Sequence, residues 1–419
     1  MASTKIASVW GLERFVNESV DLDEKLSDSP FTVKWLLESL HAADDKFNKL
    51  REISRIENIL ACDISQGKGF ASRVYKVSIH FNHLREPYDV MLKVPSSGLS
   101  KADKDITSDA FITFIHNKEC EFYSNYASDI NVPTVKVYKT IQVGKEMNPG
   151  AILMESLMGR AESNPLVNGA PIEQAFTIAK HLASLYKYSL CLPREQWAGK
   201  YLENPLTTFL EEETFGPFFD KLTEMKPGAF EETMDTFRRY MCSNKFYEYT
   251  MTGIHKDLGL PSVLTHGDTW ANNILWKKNP DGSISNELAA LIDWQIIHEG
   301  CITNDIARFM TICLDGDVRR KHEYQVIQYL HDRIVELMKE ERKTVDFTYE
   351  QMKKAYEANM IAHTLQFMGM TAFVHSGENW TDEERPIMMA EREKLLLRNQ
   401  YAAEDALEHF KNIRKDRFE

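Results

Sequence analysis

The side chains best suited to chemistry in this sequence are His266, Asp268, Asn273 and Asp293, in the run VLTHGDTWANNILWKKNPDGSISNELAALIDWQ. Between Asn273 and Asp293, the apolar runs Ile274 to Trp276 and Leu288 to Ile292 flank the turn residues Asn279-Pro280-Asp281-Gly282, a hairpin pattern. In an antiparallel hairpin the residue opening the first strand and the residue closing the second lie side by side. Asn273 and Asp293 are therefore expected to be neighbours. An amide oxygen and a carboxylate converging there are hard ligands for magnesium, which also takes waters and phosphate oxygens. Asp268 precedes Asn273 on the loop entering the same end, where it is placed to accept a proton from an attacking hydroxyl and to orient it.

Upstream, Gly67-Lys68-Gly69-Phe70-Ala71-Ser72 lies between two strand-like runs, and Gly67 and Gly69 would let backbone N–H groups approach phosphate oxygens. Alone it reads more readily as an ordinary hairpin turn. Lys93 ends the run YDVMLKVP, where it is either a solvated strand-edge lysine or a phosphate clamp. A clamp needs a carboxylate to hold it, which Glu119 or Glu121 on the following helix would supply, with Glu119 preferred from its register with Phe122 and Tyr123. Backbone groups around Glu155 to Leu157 are candidates for an adenine edge, or simply a connector. An Asp, an Asn five residues on and a second Asp closing a hairpin follow the logic of a kinase catalytic loop and its metal-binding Asp. HGD by itself is common, so the argument rests on the ordered set.

Positioning these residues requires strands before about residue 157 and helices after it. Val33, Leu36, Leu37 and Leu40 repeat at helical spacing, with Ser29 as cap and Pro30 in the first turn. Three antiparallel strands are expected between Ile53 and Pro95, then a helix over FITFIHNKECEFYSNYAS, then strands in VPTVKVYKTIQV and GAILMESL. The remainder reads as helical apart from a β-like island at 263–294. The expected organisation is a helical extension (1–55), a nucleotide-binding N-lobe (56–156) and a catalytic, acceptor-binding C-lobe (157–419), the two lobes sharing a cleft.

The 419 residues are 43% hydrophobic and 27% charged, enough apolar surface for substantial cores. Fifty Lys plus Arg against 63 Asp plus Glu leave a net charge of −13, which opposes sequence-independent attraction to nucleic acid or anionic lipid. The six cysteines show neither a CxxC pair nor zinc spacing, so reduced thiols are expected. Glu13 and Arg14 interrupt the N-terminus before any signal-like apolar run, and no window reaches the roughly 18 apolar residues of a membrane span. A soluble, cytoplasmic protein is expected.

LTHGDTWANNILW followed by LIDWQIIHEGCITNDIARF resembles the choline-kinase-like, or CHK, group, which includes ecdysteroid-kinase-like proteins and is related to aminoglycoside phosphotransferases. The resemblance runs from about residue 60 to 380. It implies an α+β, bilobal, protein-kinase-like fold, ATP with Mg2+, and phosphorylation of a small-molecule hydroxyl. By it, Asp268 is the catalytic base, Asn273 and Asp293 are metal ligands, Lys93 and Glu119 the clamping pair, and Gly67 and Gly69 the phosphate loop. It also makes Asp305 a brace for the catalytic loop, although a helix N-cap fits that residue equally. HGD in place of HRD, IDW in place of DFG and the lack of an APE segment disfavour protein substrates. The acceptor is open among steroid, glycoside and aminoalcohol. Rival readings are a silent nucleotide-binding scaffold on the same framework and a metal-dependent phosphohydrolase using His266. Trp270 and Trp294 would face a cationic ligand or pack, and His363 and His375 read better as core or surface residues than as ligand contacts.

Overall fold

In the computed structural model, which describes residues 11–65, 71–96, 109–144, 148–208, 210–376 and 380–419, Thr32 caps the first helix, α1 (Val33–Ala43), by accepting the Trp35 N–H. The cap expected at Ser29 lies three residues too early, because the Ser29 hydroxyl instead bonds the backbone of Phe31. Asp44 ends α1 and caps α2 (Asp45–Ile53). Alternating apolar residues then give β1 (Ile56–Asp63), β2 (Ser72–Phe81) and β3 (Tyr88–Pro95), followed by α3 (Asp109–Asn125), β4 (Val137–Ile141) and β5 (Ala151–Glu155). The sheet order is β1-β2-β3-β5-β4, and every pair is antiparallel.

Helices α1 and α2 share the core of this sheet. Leu36, Leu37, Leu40 and Phe47 are buried in one cluster with Val77, Ile79, Val90, Leu92 and Leu153. Asp44 adds a polar staple at its edge, accepting hydrogen bonds from the Tyr88 hydroxyl and from Lys136 Nζ. These elements belong to one unit, made of residues up to Ala127 together with Val135–Leu157, and Ser128–Thr134 and Met158–Glu419 form a second.

The second unit opens with β6 (Ala161–Glu162) and the buried-faced helix α4 (Ile172–Cys191). Short helices follow: α5 (Arg194–Trp197), a 3-10 turn (Pro205–Thr207), α6 (Glu212–Met225), α7 (Glu231–Phe237), α8 (Asn244–Tyr247), a π-helical turn (Glu248–Gly253) and α9 (Ile254–Leu258). Then come β7 (Ser262–Thr265), β8 (Ile274–Lys278), β9 (Ile284–Leu291), β10 (His298–Cys301), α10 (Asn304–Cys313), α11 (Gly316–Glu340), α12 (Tyr349–Val374) and α13 (Arg385–Phe410).

The β-like island is thus wider than 263–294. β6 joins β8 and β9 in one sheet, and β10 pairs with β7. Strands of two and four residues carry too few alternations to show a period. The α+β class expected from the sequence is the one observed, a β-rich N-terminal region followed by a mainly helical C-terminal region. Among the described residues, no helix is long and apolar enough to cross a membrane.

Candidate active site

β7 leads directly into His266-Gly267-Asp268. At Gly267 the backbone has φ +86°, and a Cβ there would lie 2.5 Å from the Ile296 carbonyl oxygen and 2.8 Å from His298 Nδ1. Glycine is the residue that fits. Its N–H donates to Asp305 Oδ1 at 2.7 Å, and the His266 N–H donates to Asp305 Oδ2 at 2.9 Å. The Tyr186 hydroxyl adds a third bond to Oδ2 at 3.1 Å. Asp305 is fully buried in the first turn of α10, and burial pushes its carboxyl pKa up against the pull of these donors. It braces the loop, and the cap position of α10 belongs to Thr303.

The buried His266 ring ties this loop to the hairpin. Its Nδ1 accepts the Asp268 N–H at 3.2 Å, so the proton sits on Nε2, which donates to the Ile292 carbonyl at 3.0 Å. With both nitrogens engaged, His266 positions Asp268, and the geometry does not favour a hydrolase that uses this ring as acid or base. Trp294 packs on it, ring centroids 4.5 Å apart, with Nε1 donating to the Leu291 carbonyl. Trp294 is fully buried, whereas Trp270 is half-buried.

Asp268 is half-buried and held from two sides. Arg308 Nε donates to Oδ1 at 2.9 Å, and its Nη2 forms an ion pair with the same oxygen at 2.7 Å. Asn273 Nδ2 donates to Oδ2 at 2.8 Å and to the Asp268 carbonyl at 2.9 Å. Because a carboxylate only accepts, these bonds orient the Asn273 amide and leave Oδ1 as its ligand-capable atom. The hairpin register places Asn273 beside Ile292, whose N–H donates to the Asn273 carbonyl at 3.0 Å, and Asp293 is the next residue. Asp293 adopts φ 65°, ψ 60°, a left-handed conformation that Asp tolerates better than most residues, and Gln295 Nε2 donates to its Oδ2 at 3.3 Å. An amide oxygen and a carboxylate at one hairpin mouth suit a magnesium that completes its shell with water and phosphate. Among the described residues no group of three or more His, Cys, Asp or Glu side chains converges on one point.

In the first unit, Lys93 Nζ meets Glu119 Oε2 at 2.6 Å, with both side chains buried. Glu121 is half-buried. A pair this buried is held by Coulomb attraction against desolvation, so losing one partner strands the other charge. Next to it, burial and the nearby Lys93 charge push His116 down to about 4, and its Nε2–H donates to the Ile141 carbonyl. The Glu155 N–H donates to the Lys136 carbonyl and its carboxylate accepts the Lys136 N–H, so both groups serve the sheet. Leu157 lies just past β5 and is half-buried. Gly67 and Gly69 lie outside the described residues.

Sequence reasoning missed Arg308 and Gln366. Arg308 Nη1 donates to Gln366 Oε1 at 3.0 Å, and Gln366 Nε2 donates to the Leu206 carbonyl at 3.0 Å. The run NDIARF contains the only available signal, an Arg one helical turn after the bracing Asp305. His363 is a core residue, its Nε2 bonded to Asn304, and burial together with the Arg308 charge keeps its pKa low. His375 is also buried, edge-on to Trp380.

A family model described as "Uncharacterized oxidoreductase dhs-27" (DUF1679) matches residues 45–411. The protein of that name from Caenorhabditis elegans is 28% identical over 351 residues, covering 80% of this chain and 41% of that protein. This chain thus spans about two fifths of that relative's length. "Uncharacterized kinase-like protein D1044.1" from the same organism is 22% identical over 330 residues, 75% of this chain and 82% of that protein. Similar solved structures are aminoglycoside phosphotransferases and choline and ethanolamine kinases. Choline kinase from Cryptosporidium parvum Iowa II has 11% identity and a TM-score of 0.49, covering 90% of this chain and 96% of that one.

Proposed function

We propose that this chain, which belongs to the DUF1679 family, is an ATP- and magnesium-dependent kinase that transfers the γ-phosphoryl group to a hydroxyl of a small molecule. The observation that carries this reading is the grip on Asp268. Its backbone is fixed through Asp305 and His266, and its carboxylate by Arg308 and by the same Asn273 that offers an oxygen beside Asp293. In the reaction the acceptor oxygen bonds to the γ-phosphorus, the bond to the β,γ-bridging oxygen breaks, ADP leaves and the hydroxyl proton passes to Asp268. Lys93, held by Glu119, would pair with phosphate oxygens, with Gly67, Gly69 and the segment Glu155 to Leu157 completing the nucleotide contacts. Magnesium on Asn273 and Asp293 would neutralise charge developing on the phosphates.

The oxidoreductase in the family's description comes from a longer relative. Among the described residues every strand pair of the sheets is antiparallel, whereas a dinucleotide-binding Rossmann unit needs parallel strands joined through a helix. That supports a phosphoryl donor over a hydride carrier.

The test is ADP release from magnesium-ATP with and without a panel of sterols, glycosides and amino alcohols. Release that depends on an alcohol is expected. Asp268→Ala should lower turnover by about 10²–10⁴-fold with ATP affinity within about twofold, as befits a residue that acts on the proton. Nucleotide binding without any ADP release from the wild type would mark the chain as a silent scaffold.

A further inference from the structure

The carboxylate at the centre of the site has a countable number of acceptor positions. Asp268 offers about four lone pairs, two on each oxygen. Arg308 lies against Oδ1, with Nε donating to it and Nη2 in ion-pair contact at 2.7 Å, and one position on Oδ2 is used by Asn273. With the guanidinium set against Oδ1, the position open to an acceptor hydroxyl away from that charge is on Oδ2.

That count depends on how Arg308 is held. Arginine and carboxylate prefer a forked pairing in which two N–H groups reach two different oxygens. Here Nε donates to Oδ1 and Nη2 lies closest to that same oxygen, and a forked pairing would take the open position on Oδ2. Arg308 is 4% exposed, and its other hydrogen bond, Nη1 to Gln366 Oε1 at 3.0 Å, opposes that rotation. Gln366, equally buried, has no freedom to turn its amide round. Arg308 can only donate, so Oε1 must face it, and Nε2 then donates to the Leu206 carbonyl at 3.0 Å and reaches Met251 Sδ at 3.5 Å. Leu206 lies in the 3-10 turn Pro205–Thr207 and Met251 in the π-helical turn, so three separate segments fix one amide plane. His363, a turn before Gln366 on α12, stays neutral and adds no competing charge beside Arg308.

We propose that Gln366 and Arg308 are positioning residues that keep Asp268 Oδ2 open to the acceptor hydroxyl, a role that rests on the kinase reading above. Gln366→Met keeps the length and bulk of the side chain and removes its amide, with the bonds to Arg308, Leu206 and Met251. It should let Arg308 swing into the forked pairing and lower the rate of ADP release from magnesium-ATP, with water or an alcohol as acceptor, by about 100-fold, the scale of an ångström-level misplacement. Magnesium-ATP affinity should stay within about twofold, because the nucleotide contacts are elsewhere. Gln366→Glu retains an acceptor for Nη1 and should recover most of the lost rate.

The experiment combines these rates with melting temperatures and a crystal structure of Gln366→Met. Arg308 forked across both Asp268 oxygens, a rate lost in Met and restored in Glu, and unchanged nucleotide affinity would support the role. A folded Gln366→Met protein with the wild-type rate would overturn it, as would an unmoved Arg308. So would rates that follow only the melting temperature in both variants, which is the mark of a structural contact. The crystal structure reads Arg308 independently of turnover. If Arg308 rotates yet the wild type releases no ADP under any condition, the kinase reading fails, and the catalytic role fails with it.

Discussion

Gly267 is the residue at which the HGD run differs most usefully from its HRD counterpart. An added Cβ meets the backbone oxygen of Ile296, which cannot move without shifting the segment after β9, and φ +86° is strained for any other residue. Gly267→Ala should therefore destabilise the second unit by about 2–4 kcal/mol, measurable as a lower urea midpoint at unchanged slope. Asp268, Asn273, Asp293 and Asp305 were legible because their types recur at fixed spacing within one short stretch, and such spacing survives in a one-dimensional reading. Arg308 and Gln366 were not, since their bonds span 40 and 58 residues and an Arg or Gln on a helix reads as a solvated face. The sequence also could not decide between packing and ligand contact for Trp294. That depended on the His266 ring, whose orientation follows from hydrogen bonds to Asp268 and Ile292.

α3 shows how one element can hold both a buried ion pair and a group that makes the stability of its unit depend on pH. It buries Glu119 against Lys93 and, one turn earlier, buries His116 in its neutral form. Burial first, and then the Lys93 charge, push His116 down to about 4 from an ordinary value near 6.5. The unfolded chain therefore binds a proton between those pH values that the folded chain refuses. Stability rises with pH across this window and is lost as pH falls from about 6.5 towards 4. His116→Gln should flatten the slope of unfolding free energy against pH, removing up to about 3 kcal/mol of pH dependence. Chemical denaturation at half-unit steps compares the two slopes directly. An unchanged slope would mean that another group, such as the half-buried His181, whose pKa burial also lowers, carries the effect. The helical spacing of α3 was visible in the sequence, as were β1 to β5. β6 and β10 were not, because strands that short are defined by their partners and not by a pattern of their own.

At the scale of the whole molecule, residues 1–55 read as a helical extension in front of the strands, yet α1 and α2 bury Leu36, Leu37, Leu40 and Phe47 in the same cluster as the sheet residues Val77, Ile79, Val90 and Leu92. Periodicity shows that a helix has an apolar face and does not name what covers it, so this union was beyond the sequence. It follows that the first unit gains much of its apolar burial from these helices. Leu37, fully buried, should cost about 2–5 kcal/mol on replacement by alanine, the range for a leucine cavity that closes only partly. Asp44 adds a polar contribution of a different kind. Burial alone would raise its pKa, but hydrogen bonds from Tyr88 and Lys136 prevail and hold it below the usual carboxylate range. Its contribution is therefore present above the ordinary carboxylate pKa and lost as pH falls through the folded value. Deleting residues 1–55 removes both the apolar and the polar contacts and uncovers the buried faces of β2 and β3. The truncated chain should be recovered mainly as aggregate and, where soluble, should bind a hydrophobic dye that the intact chain excludes. A soluble truncated chain with an unchanged melting temperature would show that the sheet has its own sufficient core and that the helices are dispensable cover.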